Sequence, residues 1–426
     1  MPFDPTPLPS RPLRVAVLVD LARSSESGGH VKWWERLAAA AAAEPQEGLD
    51  LTVYFSGSRP DEALAPHVRL KHLPPVFSTA RLKFLPYVPD HSDLSPYHPR
   101  LARELPAYDL VHATDGFFAF AQTAERLARR RGPVLTSSFH TDSPPYARIA
   151  TKATIEKHFK GWPWLKRKLI EDWDAPGRQV AKMERRLRRH LARCALAFAT
   201  RVQDFDLARE ILGASRVRHL RLGVDKAMFG PHRRDIAGVR RDYAIPVGRR
   251  IALYVGRVDT GKNVPTLIEA AERAIRAGAP LHLAIAGIGP LAEEAAQRLG
   301  DRASLLGFVK PDELARLYAS ADLFVLPSEV EIGSMATFEA IASGCPSLIA
   351  ESSGSHAVLD HSPAVGAIAS GVEAWSAALR DLALDEGKRA AMRAAALDYA
   401  ARRLASWGDV LKEDLLPGWR AAAKVS

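Results

Sequence analysis

The sequence predicts an α/β protein built from two doubly wound domains. Short apolar segments of strand length alternate with amphipathic segments of helix length, and this alternation restarts near Arg250. Such an alternation is typical of mostly parallel sheets with helices on both faces. The chain has 426 residues, of which 47% are hydrophobic and 25% charged, so it can fill two cores without disulfides.

The first half begins this alternation at its first apolar segment. The Ser- and Gly-rich stretch Ser24–Gly29 joins the first strand to the first helix. Helices are predicted over Val31–Ala43 and Phe118–Arg131. The predicted strands are Leu13–Asp20, Leu49–Phe55, Leu110–Ala113, Pro133–Ser137 and Cys194–Thr200.

The second half repeats the plan without repeating the sequence. The polar stretch Lys226–Gly248 is predicted to be a linker region, which gives domains over residues 1–224 and 225–399. The predicted strands are Arg250–Val255, Leu281–Ala286, Ser304–Leu306, Leu323–Leu326 and Ser347–Ala350. The predicted helices are Asn263–Gly278, Leu291–Leu299, Pro311–Ser320 and Met335–Ala342. We expect ligands to bind in a crevice at the carboxyl ends of the strands of the two domains.

The cysteines, the apolar runs and the metal-ligand motifs of the sequence indicate the cellular compartment and the kind of site to expect. Cys194 and Cys345 are far apart in sequence and form no metal-ligand pattern, which favours a reducing cytoplasm. The proline-rich start has no apolar signal core, and no apolar run is long enough to span a bilayer. No Asp-x-Asp element or His/Cys cluster indicates a metal site, so none is predicted.

The net charge of +10 is concentrated in one stretch. Residues 151–193 hold 13 Lys and Arg and 5 Asp and Glu, a surplus of +8, and the stretch Lys157–Trp173 within them carries four aromatic residues. Tryptophan beside lysine and arginine is typical of a surface that contacts anionic lipid headgroups. A solvated helical face with core aromatics is the alternative, and no RNA-recognition module is evident, so no nucleic acid is expected. The predicted membrane contacts are Trp162, Trp164, Lys166, Arg167 and Lys168.

The segment Pro327–Pro346 places two acids around the start of a predicted helix. Glu331 lies in the loop and Glu339 inside the helix, while the amides near Gly333–Met335 face an anion at the helix start. Carboxylates on either side of a diphosphate accept hydrogen bonds from sugar hydroxyls. A surface loop with incidental acids is the alternative interpretation.

The segment Tyr254–Asn263 supplies two cations after a predicted strand. Arg257 and Lys262 are expected at the carboxyl edge of the sheet, near the start of the next helix. Two cations and a helix terminus suit a leaving diphosphate, whose charge grows as a glycosidic bond breaks. Solvated loop charges are the alternative.

These motifs together resemble the retaining glycosyltransferases of family 4, which have the GT-B fold of two Rossmann-like domains. Glu331 and Glu339 have the separation of the family's E-x7-E signature, and E-A-I-A-S-G-C-P follows its pattern. Where the family usually has Phe-Gly, this chain has Gly333 and Ser334. The resemblance is strong over residues 220 to 350. Further segments that resemble the family are G-R-V-D-T-G-K-N at residues 256–263, the turn Ala286–Pro290, the junction Arg221–Pro231 and the stretch Ser304–Ser328.

The resemblance implies a role for each matching residue. It implies that Glu339 holds the ribose of a UDP-sugar or GDP-sugar and that Glu331 holds the donor sugar. Arg257 and Lys262 would clamp the diphosphate, and His140 would contact the reacting sugar. The other donor-binding residues are expected to be Gly28, Gly29, Gly287, Gly333, Ser334 and Met335. Asp115 and Asp142 are expected near the acceptor.

The resemblance further implies retention of the anomeric configuration, with no cofactor besides the donor. It also implies that a C-terminal helix, about 400–426 with Trp407–Trp419 amphipathic, packs back on the first domain. The run SFHTDSPPY resembles members that glycosylate diacylglycerol-type lipids. We therefore expect a membrane lipid or lipid-linked acceptor and a peripheral location on the inner face of the cell membrane.

Other functions are considered beside this one. A transferase that acts on a soluble acceptor or builds a polysaccharide is one alternative. An epimerase or phosphorylase on the same fold is disfavoured by the E-x7-E spacing. A nucleotide-sugar-binding protein without turnover is the non-enzymatic alternative, because Gly333 and Ser334 depart from the family pattern.

Overall fold

The computed structural model describes residues 11–24, 27–46, 48–82, 92–130, 132–140, 142–355, 362 and 365–424. The chain forms two compact units, Met1–Arg221 with Trp407–Ser426, and Leu222–Ser406. The proline-rich start (residues 1–10), part of the Ser24–Gly29 loop and Thr141 of the SFHTDSPPY run lie outside the described residues.

Unit 1 contains one eight-stranded sheet. Its strands are β1 (Leu13–Ala22), β2 (Leu49–Ser56), β3 (Glu62–Ala65), β4 (Val68–Leu73), β5 (Leu110–Ala113), β6 (Val134–Ser138), β7 (Leu196–Ala199) and β8 (Val217–His219). Their order is β3-β4-β2-β1-β5-β6-β7-β8, and every pair is parallel except β3 with β4. The sequence missed β3 and β8, which have only four and three residues, and β4, which carries charged residues at alternate positions.

The helices of unit 1 connect these strands in chain order. They are α1 (Gly29–Ala43), α2 (Pro99–Glu104), α3 (Ala119–Ala128), α4 (Ser143–His158), α5 (Pro163–Arg167), α6 (Ala175–Leu191) and α7 (Val202–Leu212). A π-helical stretch, Lys168–Asp172, continues α5. The predicted helix Phe118–Arg131 extends beyond the observed end at Ala128, because Arg129 and Arg130 form a turn; Arg131 lies outside the described residues.

Unit 2 contains a six-stranded parallel sheet. Its strands are β9 (Arg250–Val255), β10 (Leu281–Ala286), β11 (Ala303–Gly307), β12 (Leu323–Leu326), β13 (Ser347–Ala350) and β14 (Gly366–Ala369), in the order β11-β10-β9-β12-β13-β14. Four of these spans (β9, β10, β12 and β13) match the predicted bounds. Its helices are α8 (Ile236–Asp242), α9 (Val264–Arg276), α10 (Ala292–Leu299), α11 (Pro311–Ser320), α12 (Met335–Ala342), and those over Gly371–Leu384 and Glu386–Arg402.

Both faces of the unit 2 sheet are buried. Along β9, Ile251 and Leu253 belong to one apolar cluster, whereas Ala252 and Tyr254 belong to the cluster on the opposite face. Successive side chains of a strand point to opposite faces, so a sheet covered on both sides needs a continuous apolar run. This explains why β9, β10, β12 and β13 were recognisable from sequence, whereas β14, a four-residue edge strand, was missed.

The predicted linker Lys226–Gly248 is wrong, because this segment is part of unit 2. Phe229, Val239 and Ile245 are buried in its core, and α8 lies in the same stretch. The polar residues between these three positions gave the segment the composition of a linker. The boundary between the units falls at Arg221 and Leu222.

The C-terminal helix is part of unit 1. It consists of Trp407–Asp409, a π-helical stretch Val410–Leu415, and Leu416–Lys424. Trp407 contacts Trp33 of α1 edge-on at 5.3 Å between ring centroids. Gly418 lies so close to Phe198 of β7 that a Cβ atom there would be 2.5 Å from the ring.

Candidate functional site

The order of strands reverses between β9 and β12 in unit 2 and between β1 and β5 in unit 1. At such a switch point, the loops after neighbouring strands leave in opposite directions and open a crevice at the carboxyl edge of the sheet. Most of the predicted site residues follow these strands, whereas His140 and Asp142 follow β6 and Gly287 follows β10.

In unit 2, a buried carboxylate organises the loop after β9. One carboxylate oxygen of Asp259 accepts a hydrogen bond from the backbone N–H of Lys262 at 2.9 Å, and the other accepts from Nε of Arg257 at 3.0 Å. The hydroxyl of Tyr254 donates to the carbonyl oxygen of Arg257 at 2.5 Å. These contacts hold the backbone of both predicted cations and the side chain of Arg257.

The loops after β9 and β12 are joined by an ion pair. The ammonium group of Lys262 contacts Oε1 of Glu331, and their side chains are only 20% and 14% exposed. The amide of Asn263 also donates to the carbonyl oxygen of Pro327 at 3.3 Å. Two residues that were predicted to bind the same donor are therefore in direct contact within unit 2.

The second acid lies inside the helix that follows. Glu339 is buried in α12, and the backbone N–H of Ser334, just before this helix, donates to the hydroxyl of Ser355 at 2.9 Å. The first-turn N–H groups of a helix have no partner within the helix, so they form a local positive pole. The segment thus starts a helix at Met335, as its sequence predicted, and the binding of an anion at this helix start stays a prediction.

The departure at Gly333 has a steric reason in this structure. A Cβ atom on Gly333 would lie 2.7 Å from the side chain of Leu222. The backbone N–H of Gly354 donates to the carbonyl oxygen of Glu331 at 3.0 Å, which fixes the loop from its other side. The loop is packed too closely on Leu222 to hold a large residue at position 333 without rearrangement.

Gly287 lies where two loops cross. A Cβ atom on Gly287 would be 1.8 Å from the carbonyl oxygen of Gly256. Glycine is required here for close backbone approach. This crossing agrees with the predicted position of Gly287 beside the loop after β9. In that loop, the backbone N–H of Val258 donates to the carbonyl oxygen of Ile288 at 2.9 Å.

In unit 1, the predicted glycines lie at the start of α1. Gly28 has a φ of −65°, and a Cβ atom on Gly29 would meet no atom within 4 Å, so neither position requires glycine for the local backbone. The next residue, His30, makes the contact across the switch point. Its Nε2 atom lies 2.8 Å from the hydroxyl of Thr114, which follows β5.

His140 is held by rings and one hydroxyl. Its ring stacks on that of His30 at 4.8 Å between centroids, with an edge contact to Trp33 at 4.9 Å. Nε2 of His140 lies 2.7 Å from the hydroxyl of Ser138. Burial, together with the neighbouring His30 and His112, holds the pKa of His140 well below its usual range. The imidazole is therefore neutral at neutral pH.

A cavity of about 240 Å³ in unit 1 brings three predicted residues together. His140, Asp115 and Asp142 all line it, with Arg201. Asp142 forms an ion pair with Arg201 at 2.5 Å. Burial raises the pKa of Asp115, against the effect of two backbone N–H groups that donate to its carboxylate. The cavity therefore contains two carboxylates, of which Asp142 is paired with Arg201 and Asp115 accepts from backbone N–H groups.

Several residues of this pocket were missed from sequence. Arg201 follows β7 and Thr114 follows β5, so both lie at the carboxyl edge of the sheet. Beneath the pocket, His190 contacts Oε1 of Glu125 at 2.8 Å and the hydroxyl of Ser137 at 3.0 Å. The position of Arg201 after a predicted strand was a usable signal, whereas the His190–Glu125 contact spans 65 residues and has no local signature.

The predicted membrane residues lie on an exposed hairpin formed by α4, α5 and α6. Trp162 and Trp164 are 57% and 63% exposed, and Trp173 is 51% exposed. The ammonium group of Lys168 lies 5.7 Å from the centre of the Trp173 ring. None of the helices in the described part of the chain has both the length and the apolar composition of a membrane span. Across the same residues, no group of three or more His, Cys, Asp or Glu side chains has the arrangement of a metal site.

Residues 235–398, all within unit 2, match the family described as Glycosyl transferases group 1. The resemblance to this family predicted from the motifs is therefore confirmed. The GDP-mannose-dependent alpha-mannosyltransferase of Corynebacterium glutamicum is 35% identical over 136 residues, which are 32% of this chain and 31% of that protein.

A second relative has a lipid in its name. The GDP-mannose-dependent alpha-(1-6)-phosphatidylinositol dimannoside mannosyltransferase of Mycobacterium tuberculosis is 32% identical over 167 residues, which are 38% of this chain and 43% of that protein. The similar sequence thus spans less than half the length of either relative.

A solved structure extends the likeness to nearly the whole chain. Alr3699/HepE of Anabaena, in complex with UDP and glucose, covers 97% of this chain and 99% of its own, with a TM-score of 0.64 at 15% identity. At that identity the likeness concerns the fold. The predicted GT-B fold of two α/β units is confirmed.

Proposed function

We propose that this protein is a retaining glycosyltransferase that moves a sugar from a nucleotide-diphosphate donor to an acceptor hydroxyl. The observation that carries the proposal is the contact between Lys262 and Glu331 at the switch point of unit 2. It unites a phosphate-binding cation with a carboxylate suited to sugar hydroxyls, directly before the start of α12.

Each part of the donor has a partner in unit 2. The Glu339 carboxylate accepts hydrogen bonds from the ribose hydroxyls. Arg257 and Lys262 bind the diphosphate, and the start of α12 faces the same charge. When Lys262 turns to the phosphate, Glu331 is released to accept hydrogen bonds from the donor sugar.

The reaction exchanges one bond at the anomeric carbon for another on the same face. The bond from this carbon to the phosphate oxygen breaks, and a bond to the acceptor oxygen forms. The acceptor proton passes to the leaving phosphate oxygen. Arg257 and Lys262 stabilise the charge that develops on this phosphate, which is where preorganised charge contributes most. The neutral imidazole of His140 contacts the donor sugar, and Asp115 and Asp142 lie on the acceptor side.

The acceptor is a lipid or a lipid-linked glycan on the cytoplasmic face of a membrane. The exposed tryptophans of the hairpin and the surplus of +8 over residues 151–193 support this part of the proposal. Exposed indoles enter the headgroup region, while lysine and arginine attract anionic lipids. The name of the mycobacterial relative, which includes phosphatidylinositol, agrees with such an acceptor.

A donor screen tests the proposal. Purified protein is mixed with UDP- and GDP-sugars, with and without anionic lipid vesicles, and the release of nucleoside diphosphate is measured. We expect release from one donor, stimulation by vesicles, and loss of release in Glu339→Gln. Glu293→Gln, an exposed acid in the same unit, is the matched control. Release without a lipid effect would refute the lipid acceptor, and binding without release from any donor would refute the enzyme.

A further inference from the structure

A line of buried polar groups runs through unit 1 from the C-terminal helix to His140. The indole nitrogen of Trp419 lies 3.3 Å from Nδ1 of His112 in β5. Nε2 of His112 lies 2.8 Å from the hydroxyl of Ser138 in β6. The same hydroxyl lies 2.7 Å from Nε2 of His140. Four side chains from three elements thus form one continuous series of hydrogen bonds.

The indole fixes the direction of the series at its first step. An indole N–H donates hydrogen bonds and accepts none, so Nδ1 of His112 must present its lone pair to Trp419. A neutral imidazole carries one proton, which places the proton of His112 on Nε2. The hydroxyl of Thr136, 2.9 Å from the same Nδ1 atom, is a second donor that shares this lone pair, and its contact with the carbonyl oxygen of Val111 is longer, at 3.5 Å.

The hydrogen bonds of Ser138 extend this arrangement of protons from His112 to His140. Because Nε2 of His112 donates to the Ser138 oxygen, the single hydroxyl proton of Ser138 is available for the next step. It points to Nε2 of His140, 2.7 Å away, which must accept it. The proton of the neutral His140 ring is consequently on Nδ1.

Because these groups are buried, the opposite set of tautomers is energetically unfavourable. Trp419 and His112 are fully buried, and Ser138 is 3% exposed. Phe198 and Trp34 pack against the His112 ring at 5.6 Å and 5.3 Å between centroids. The opposite set of tautomers would set the N–H of His112 against the N–H of Trp419 without water to separate them. Unsatisfied or opposed donors are expensive in such a site.

We propose that Trp419 is a positioning residue that sets the tautomer of His140 through His112 and Ser138, so that His140 presents an Nδ1–H donor. The opposite tautomer would present a lone pair at Nδ1 instead. A ring with Nδ1–H donates to an oxygen of the sugar and cannot remove a proton from it at this atom. This functional consequence rests on the proposed contact of His140 with the donor sugar, whereas the tautomer itself does not.

The tautomer is read directly by 15N NMR of the histidine rings in the full-length protein, with the His140 signals identified by their loss in His140→Gln. We expect a pyrrole-type Nδ1 and a pyridine-type Nε2 for His140 in the unmodified chain. In Trp419→Phe, which keeps the ring and removes the N–H, we expect the ratio of the two tautomers of His140 to shift by about tenfold, the worth of one hydrogen bond. Trp375→Phe, equally buried in unit 2, is expected to leave the ratio unchanged.

A second variant keeps the test decisive if Trp419→Phe is poorly folded. Ser138→Ala removes the hydroxyl that contacts both histidines and is expected to mix the tautomers of His140. An Nε2–H tautomer in the unmodified chain, or an unchanged ratio in both variants, would overturn the proposal. Failure of sugar transfer with the tautomer as expected would refute the proposed function and leave this inference intact. If transfer occurs, we expect Trp419→Phe to lower kcat more than it raises KM for the donor.

Discussion

At the scale of single residues, the Lys262–Glu331 pair shows how one contact joins loops that are 69 residues apart. The pair is partly buried, so its contribution to the free energy of unfolding differs from that of a solvent-exposed ion pair. Removing one partner of a buried pair is more costly than removing both, because the remaining charge has lost its counter-charge. This asymmetry permits a test that separates binding from stability.

We expect Lys262→Met to weaken the binding of UDP or GDP by about 10- to 100-fold, since a hydrogen bond to a charged group contributes about 1.5–3 kcal/mol. We also expect a loss of about 1–2 kcal/mol in the free energy of unfolding, less than for a fully buried pair. Calorimetric titration and urea unfolding measure the two effects. In Lys262→Met/Glu331→Gln, stability should recover while affinity does not; recovery of both would remove Lys262 from the phosphate site.

His190 is a second residue whose charge depends on its neighbours. Burial by itself lowers its pKa, but Cys194 and the Glu125 carboxylate outweigh burial and raise the pKa to about 10. Arg186 and Arg193 contact the same carboxylate, which keeps Glu125 ionised. A folded-state pKa above the unfolded value of about 6.5 stabilises the fold where the ring is protonated.

This stabilisation is complete below about pH 6.5 and is lost as the pH rises toward 10. We therefore expect the unfolding midpoint of unit 1 in urea to fall between pH 7 and pH 9.5. In His190→Gln, which cannot be protonated, the midpoint should be lower at pH 7 and nearly constant over this range. His158→Gln, an exposed histidine of α4, should behave like the unmodified chain. Identical pH dependence in His190→Gln would show that the ring is neutral.

At the scale of elements, the hairpin of α4, α5 and α6 differs from the other helices in how little it buries. In α4 only Pro144 and Ile155 are buried, and α5 buries no residue. The hairpin contributes little to a core and exposes three tryptophans, so stabilisation of the fold does not account for these side chains. Exposed aromatic and basic side chains are suited to a surface that accepts both.

We expect Trp162→Ser/Trp164→Ser to reduce cosedimentation with anionic vesicles at least about tenfold, because two indoles leave the headgroup region. The melting temperature should change little, since both rings are exposed. Phe308→Ser removes an exposed aromatic residue of unit 2 and should not affect cosedimentation. Equal binding by all three proteins, or by neutral vesicles, would contradict the membrane role of the hairpin.

The loop crossing in unit 2 depends on one glycine. In Gly287→Ala, the added Cβ atom meets the carbonyl oxygen of Gly256, so the two loops must separate. We expect destabilisation by about 1–3 kcal/mol, the range for overpacking, and weaker nucleotide binding because the loop that carries Arg257 moves. Thermal unfolding and titration with UDP and GDP measure both. Gly161→Ala, whose Cβ atom meets nothing within 4 Å, should be neutral, and a similarly neutral Gly287→Ala would refute the crossing.

At the scale of the whole molecule, unit 2 is one continuous segment of the chain, whereas unit 1 is formed by two separate segments. Unit 2 is continuous from Leu222 to Ser406 and contains its own apolar clusters on both faces of its sheet. Unit 1 is completed only by the last segment of the chain, where Leu411, Leu415 and Trp419 are buried. The two units therefore differ in whether a continuous piece of sequence can fold.

We expect a fragment of residues 222–406 to unfold cooperatively and to bind UDP or GDP. A fragment of residues 1–221 should be unstable, because β7 and His112 lose the cover that Gly418 and Trp419 provide. Adding a peptide of residues 407–426 should restore its structure, as followed by circular dichroism and protease resistance. A stable fragment 1–221 without the peptide would show that the C-terminal helix is dispensable for unit 1.

The sequence alone was sufficient to locate four of the six strands of unit 2 with their bounds, and it predicted the chemical types at the candidate site. A parallel strand buried on both faces must be apolar throughout, so β9, β10, β12 and β13 were visible as runs, and Arg257, Lys262, Glu331 and Glu339 followed from motifs placed after them. Only the tertiary structure decided which side chains meet. The Trp419–His112 contact spans 307 residues and the Lys262–Glu331 contact spans 69, and neither leaves a local pattern. It also assigned residues 226–248 to a core, because burial of Phe229, Val239 and Ile245 depends on partners from distant strands rather than on the polarity of their neighbours.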